Sequence, residues 1–164
     1  MDQSIISSKT VVAASDDYAN CNKIMIKCVE ELLSDRLSEI EIKGLEYARK
    51  FWIEGALDSI AMRNIRHEFC DYEKSLFDQE DSTEKQRCIL RSVFCLLSTE
   101  QQCEDVSDDV YWFFEYLRRS RDDLNDDNYR IIVSTIIEES TYTIKADKLI
   151  EAASGDYASC IRIM

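Results

Sequence analysis

Asp16-Asp17-Tyr18-Ala19-Asn20-Cys21-Asn22-Lys23-Ile24-Met25-Ile26-Lys27-Cys28-Val29-Glu30-Glu31-Leu32-Leu33-Ser34-Asp35 is the stretch whose periodicity sets the fold class. Cys21, Ile24, Met25, Cys28 and Leu32 recur at three- and four-residue steps, which places them on one face of an α-helix. Ser15 is suited to cap that helix. Asp16 and Asp17 put negative charge in its first turn, where the helix dipole favours it.

The rest of the chain follows the same pattern. It has 164 residues, no Pro and three Gly, so most turn punctuation is missing and long helices are expected. A second helix is predicted from about Glu39 to Glu54, burying Ile42, Leu45, Ala48 and Trp52 and stopping at Gly55. A third spans about Leu57 to Phe77, with Leu57, Ala61, Ile65, Phe69, Tyr72 and Leu76 on one face. Asp81 and Glu84 have capping-box spacing ahead of a fourth helix. That helix carries Cys88, Ile89, Ser92, Val93, Cys95, Leu96 and Cys103. A fifth, about Asp105 to Ser120, carries Val106, Val110, Phe113, Phe114 and Leu117, with Arg118 and Arg119 in its last turn. A sixth starts at Asn125 or Asp126 and runs to about Ala153, although its Ile, Val and Thr content also suits a strand. The predicted fold is all-α: one domain over residues 1–164, a bundle of about six mostly antiparallel helices with a flexible N-terminus over 1–14.

Composition narrows the function. Thirty-three Asp and Glu against twenty Lys and Arg give a formal charge of −13. Such a surface repels nucleic acid and anionic lipid and attracts basic proteins. With 45% apolar residues the chain can bury a core. No apolar run approaches the roughly 18 residues a membrane span needs, and residues 1–15 lack the basic head and apolar stretch of a signal peptide. Seven Cys without C-x-x-C spacing argue against a disulfide scaffold or zinc knuckle. The expectation is a reduced cytoplasmic protein with buried thiols.

Most candidate chemistry falls away on spacing. His67-Glu68 begins like the zinc-protease motif, but position 71 is Asp, so the ligand pair is missing. Asp122-Asp123-Leu124-Asn125-Asp126-Asp127-Asn128 looks like a calcium loop until Asn128 stands where Gly is needed and Ser134 where Glu belongs. Carboxylate doublets at Asp16-Asp17, Asp108-Asp109, Asp122-Asp123 and Asp126-Asp127 suit helix starts and turns. No phosphate-binding glycine loop exists. Neither a cofactor nor a metal is expected, and the chain reads as non-enzymatic.

What remains is an interaction surface. Glu104 to Tyr116 mixes five carboxylates with five aromatics, and one helix cannot hide five aromatics on one side. Asp105, Asp108, Asp109, Trp112, Glu115 and Tyr116, with Asp122 and Asp123 widening the field if the fifth and sixth helices are antiparallel, form the candidate partner-binding set. Exposed aromatics ringed by carboxylates suit a basic protein partner.

Residues 13–25 recur as 152–164 with nine of thirteen identities. The second copy reads as a recombination scar, as a capping helix, or as a segment that docks on another subunit to give a homodimer. Gly155 in place of Asp16 weakens it as a helix start.

Gly44-Leu45-Glu46-Tyr47-Ala48-Arg49-Lys50-Phe51-Trp52-Ile53-Glu54-Gly55, followed by an amphipathic helix through Ala61 and Ile65, resembles the helical immunity proteins of bacterial polymorphic toxin and contact-dependent inhibition loci. Those often show an A-R-x-W-x-x-G helix end. Here Phe51 is inserted before Trp52, and Cys, Phe and Leu replace the usual Ala-rich later helices. The resemblance spans residues 16 to 103. It implies one-to-one neutralisation of a cognate toxin, often a nuclease, in the producing cell. The expected function is therefore an acidic immunity or inhibitor protein that occludes a basic toxin. The alternatives are a helical adaptor or effector with a groove for a partner helix, and an enzyme with carboxylate-bound metal in the bundle core.

Overall fold

A computed structural model of the chain describes Ser7, residues 9–12 and residues 17–161, with side chains through Ile150. Every regular element in it is helical. The main helices are α1 (Tyr18–Leu33), α2 (Glu39–Trp52), α3 (Ser59–Phe77), α4 (Glu84–Cys95), α5 (Val106–Ser120) and α6 (Asp126–Ile161). Residues 9–12 are also helical, and Val11 is fully buried in the core, so this part of the expected flexible N-terminus is packed.

Short polar side chains set most helix starts. Asp17 accepts from the Ala19 N–H at 2.9 Å and caps α1. The helix thus begins two residues later than expected, and Ser15 lies outside the described residues. Asp58 caps α3 by accepting from Ala61 N at 2.9 Å, so Leu57 precedes the helix instead of starting it. The capping box ahead of α4 is Thr83 with Gln86, not Asp81 with Glu84: Gln86 N donates to Thr83 Oγ1, and Thr83 N donates to Gln86 Oε1. A hydroxyl at Thr83 is better placed than the carboxylate two residues earlier to close this reciprocal pair. Gly55 has φ +61°, the left-handed conformation that ends the α2 region.

The apolar stripe of α1 falls as expected, and that of α3 does so at Ile65, Phe69 and Leu76, with Ala61 and Tyr72 half-buried and Met62 buried in addition. Cys21, Ile24, Met25, Cys28 and Leu32 are buried, as are Met62, Ile65, Phe69 and Leu76. The stripe of α2 holds at Ala48 and in part at Leu45 and Trp52, and departs at Ile42. Ile42 is 54% exposed, while Glu41, Gly44 and Ala48 face inward. The cause is a close helix crossing at Gly44, where an added Cβ would stand 2.4 Å from Cζ of Phe69 and 3.1 Å from Val93. Such proximity rotates α2 so that its smallest residues meet α3 and α4.

Two further expectations need correction. Cys103 is not on the α4 stripe: α4 ends at Cys95, and Cys103 sits half-buried in the connection to α5. The thiols are also not all buried, since Cys70 is exposed; the six described cysteines are unbonded.

The closest pairing is α4 with α5, and α6 packs chiefly on α1, not on α5. Tyr129, Val133, Ile136 and Ile137 of α6 join the core. Burial of this stripe overrides the strand preference of its β-branched residues. Thr135, Thr141 and Thr143 donate back to the carbonyls of Ile131, Ile137 and Glu139 four residues earlier. The helix runs through Gly155 without a break, past the expected end near Ala153.

Candidate functional site

The α4–α5 connection is anchored from three sides. Tyr18 of α1 donates to the Ser98 carbonyl at 3.2 Å, and Trp52 of α2 donates through Nε1 to the Leu96 carbonyl at 2.8 Å. Asp109 completes the set, its Oδ2 accepting from the N–H groups of Gln102 (3.1 Å) and Cys103 (3.2 Å). A carboxylate holding two backbone donors is a structural clamp. Burial pushes the Tyr18 hydroxyl up to about 12, which keeps it a neutral donor.

Around this clamp lies an unusual charge distribution. From Ser92 to Leu117 the chain has no Lys or Arg but carries Glu100, Glu104, Asp105, Asp108, Asp109 and Glu115. Glu100, Glu104, Asp105 and Asp108 are exposed and make no ion pair among the described residues. Asp105 caps α5 by accepting from Ser107 N at 2.9 Å, and that hydrogen bond holds its carboxyl below the usual range.

One turn along α5, Val110, Phe113, Phe114 and Leu117 are fully buried. Trp112 is 50% exposed, edge-on to Tyr111 at 5.5 Å and stacked with Tyr116 at 6.2 Å between ring centroids. The Arg91 guanidinium lies over Tyr116 at 5.6 Å and is itself bonded to Glu73 at 2.7 Å. Glu115 is half-buried and paired with Arg119 at 2.7 Å. The outward aromatic strip is therefore backed by α3 and α4, leaving one face of Trp112 to solvent.

Asp122 and Asp123 do not join this set. They lie past the other end of α5, about 22 Å away at 1.5 Å per helical residue. Their charges are consumed locally. Asp122 pairs with Lys85 at 2.8 Å, Asp123 with Arg121 at 2.9 Å and Arg36 at 3.1 Å, Asp126 with Arg118 at 2.6 Å and Asp127 with Arg130 at 3.3 Å. The bond from Arg121 pushes the Asp123 carboxyl down to about 2. Arg121 also donates to the Leu32 carbonyl at 2.7 Å, tying this turn to the end of α1. The segment that looked like a calcium loop is an ion-paired turn that ties α5 and α6 to α1.

Sequence reasoning passed over two features. Glu41 is a buried carboxylate whose burial pushes its pKa up; it accepts from Ser38 N at 2.6 Å and so stays with the α2 cap. An open groove of about 650 Å³ runs between the N-terminal half of α1 and the distal half of α6, with Ile53 among its lining residues. Neither is visible from local periodicity.

For other chemistry the described residues offer little. His67 is exposed, and no group of three or more His, Cys, Asp or Glu could hold a metal among the described residues. Burial pushes the thiols of Cys28 and Cys95 up to about 12, far from a ready thiolate. No helix among the described residues is long and apolar enough to cross a membrane. The chain matches no protein-family model, and comparisons with curated proteins and with solved structures return no match.

Proposed function

We propose that this chain is a binding protein that captures a basic partner at the α4–α5 end, and that the partner is a toxin domain whose active site it covers. The observation that carries the reading is the juxtaposition of four exposed, unpaired carboxylates with a half-exposed Trp112 in a segment devoid of cations. Glu100, Glu104, Asp105 and Asp108 supply the field that speeds encounter with a positive surface. Trp112, stacked on Tyr116, supplies the large rigid area that slows release. Asp109 keeps the loop in place, and Glu115 is turned to Arg119. In this reading Asp122 and Asp123 hold the fold together and do not meet the partner. An immunity role in a bacterial cytoplasm fits the acidic surface and the resemblance of residues 44–55.

The test uses the purified product of any toxin reading frame found beside this gene. Glu104→Lys with Asp108→Lys is expected to slow association about tenfold at low salt, and to flatten its salt dependence. Trp112→Ala is expected to speed dissociation at least tenfold. Rates unchanged in both variants, or no protection of cells expressing the toxin, overturn the proposal. The α1–α6 groove supports a second reading, a module that seats a partner helix.

A further inference from the structure

Asp108, Trp112 and Tyr116 follow one another at four-residue steps, so they form a single ridge along α5. Each step is about 6 Å along the helix axis. A carboxylate, an indole and a phenol thus stand in a row, with the two rings stacked at 6.2 Å between centroids. The inner end of the row is filled from within the chain. The Arg91 guanidinium lies 5.6 Å from the Tyr116 ring and is bonded to Glu73 at 2.7 Å. The outer end has the same two parts, a ring and a carboxylate, turned to water. Trp112 is 50% exposed, and Asp108 is exposed and makes no ion pair among the described residues.

The chain uses the same combination a second time with arginine. Arg118 lies 4.9 Å from the Tyr129 ring while its guanidinium bonds Asp126 at 2.6 Å. Lys43 sits farther from the Tyr47 ring, at 5.9 Å, with Glu68 at 2.7 Å. A guanidinium is planar, weakly hydrated and carries a fork of donors. Its face can rest on a ring while its edge meets a carboxylate. An ammonium is compact and more strongly hydrated, so it gives up more on leaving water.

We infer that the outer end of this ridge is an arginine-binding site: a guanidinium of the partner stacks on Trp112 and donates to the Asp108 carboxylate. The inference rests on the reading of the α4–α5 end as a surface for a basic partner and narrows it to one side chain. Charge complementarity favours a cation here, since Ser92 to Leu117 contains no Lys or Arg. Glu100, Glu104 and Asp105 attract any basic chain and do not tell arginine from lysine. The indole does.

Two capped peptides of equal length and charge, four Gly-Ser-Arg repeats and four Gly-Ser-Lys repeats, test it by nuclear magnetic resonance titration of the full chain at low salt. The chain has two indole signals, from Trp52 and Trp112. Trp52 donates to the Leu96 carbonyl, so its signal is the internal check of folding. The arginine peptide is expected to move the Trp112 signal and to bind about fivefold more tightly than the lysine peptide. Trp112→Leu and Asp108→Asn are each expected to shrink that preference to under about twofold. Equal affinities in the wild type, or a preference that survives either substitution, overturn the arginine site and leave the acidic surface standing. Neither peptide moving any signal between Glu100 and Tyr116 removes the attraction to cations on which both readings rest.

Discussion

The two ends of α5 carry similar acidic sequences and opposite electrostatics. At the N-terminal end, Glu100 to Asp109 is five carboxylates without a cation, and four of them face water unpaired. At the C-terminal end, Asp122 to Asp127 is four carboxylates, each with a Lys or Arg partner. The difference teaches that a run of Asp in sequence is not yet a negative patch. What decides is whether cations reach it, from neighbouring positions as Arg118, Arg121 and Arg130 do or from distant segments as Lys85 and Arg36 do here. One end keeps its charge facing water, and the other end is spent on the fold.

The comparison breaks most visibly at Arg121. Its side chain is 14% exposed and holds both oxygens of Asp123 and the Leu32 carbonyl. Arg121→Ala is expected to cost about 2–3 kcal/mol in chemical denaturation, because charge-assisted bonds are lost and a carbonyl is left unmet. Partner binding at the other end should not change. Asp109→Ala comes next, at about 1–2 kcal/mol, since two backbone donors lose their acceptor. Hydrogen exchange should quicken at Gln102 and Cys103 and little elsewhere. Asp108→Ala, one residue away, should leave stability within about 0.5 kcal/mol of wild type.

The smallest effect is a pH dependence. The Asp123 carboxyl falls from 3.8 to about 2 in the fold. A lowered value means that its stabilisation is complete above 3.8 and is lost as pH falls through about 2. Asp123→Asn should therefore narrow the gap to wild type between those limits and leave a constant difference near neutral pH. With the side chain 37% exposed, that difference should not exceed about 1 kcal/mol. A larger pH effect from Asp105 than from Asp123 would reverse the assignment of roles to the two ends.

Local periodicity was enough to read α1, α3 and α5, because each carries a full apolar stripe. It also required that Tyr111, Trp112 or Tyr116 lie partly outward, and Trp112 is the most exposed of the three. It failed at Ile42, where a glycine contact with α3 sets the rotation of α2. It failed at Cys103, because the chain leaves the helix at a turn held by Tyr18 and Trp52 from far upstream. The pairing of Asp122 with Lys85 and the second pairing of Asp123, with Arg36, were hidden for the same reason: these cations lie 37 and 87 residues away. The groove beside α1 arises from Ile53 and α6, which meet only in three dimensions.

The contact at Gly44 reaches beyond packing. A glycine inside a helix gives up about 1 kcal/mol relative to alanine, and here the lost side chain makes room for the Phe69 ring. Positions 44 and 69 are thus bound to one another in any inheritance of this fold. A methyl gained at the first must be matched by bulk shed at the second, or α2 and α3 must part.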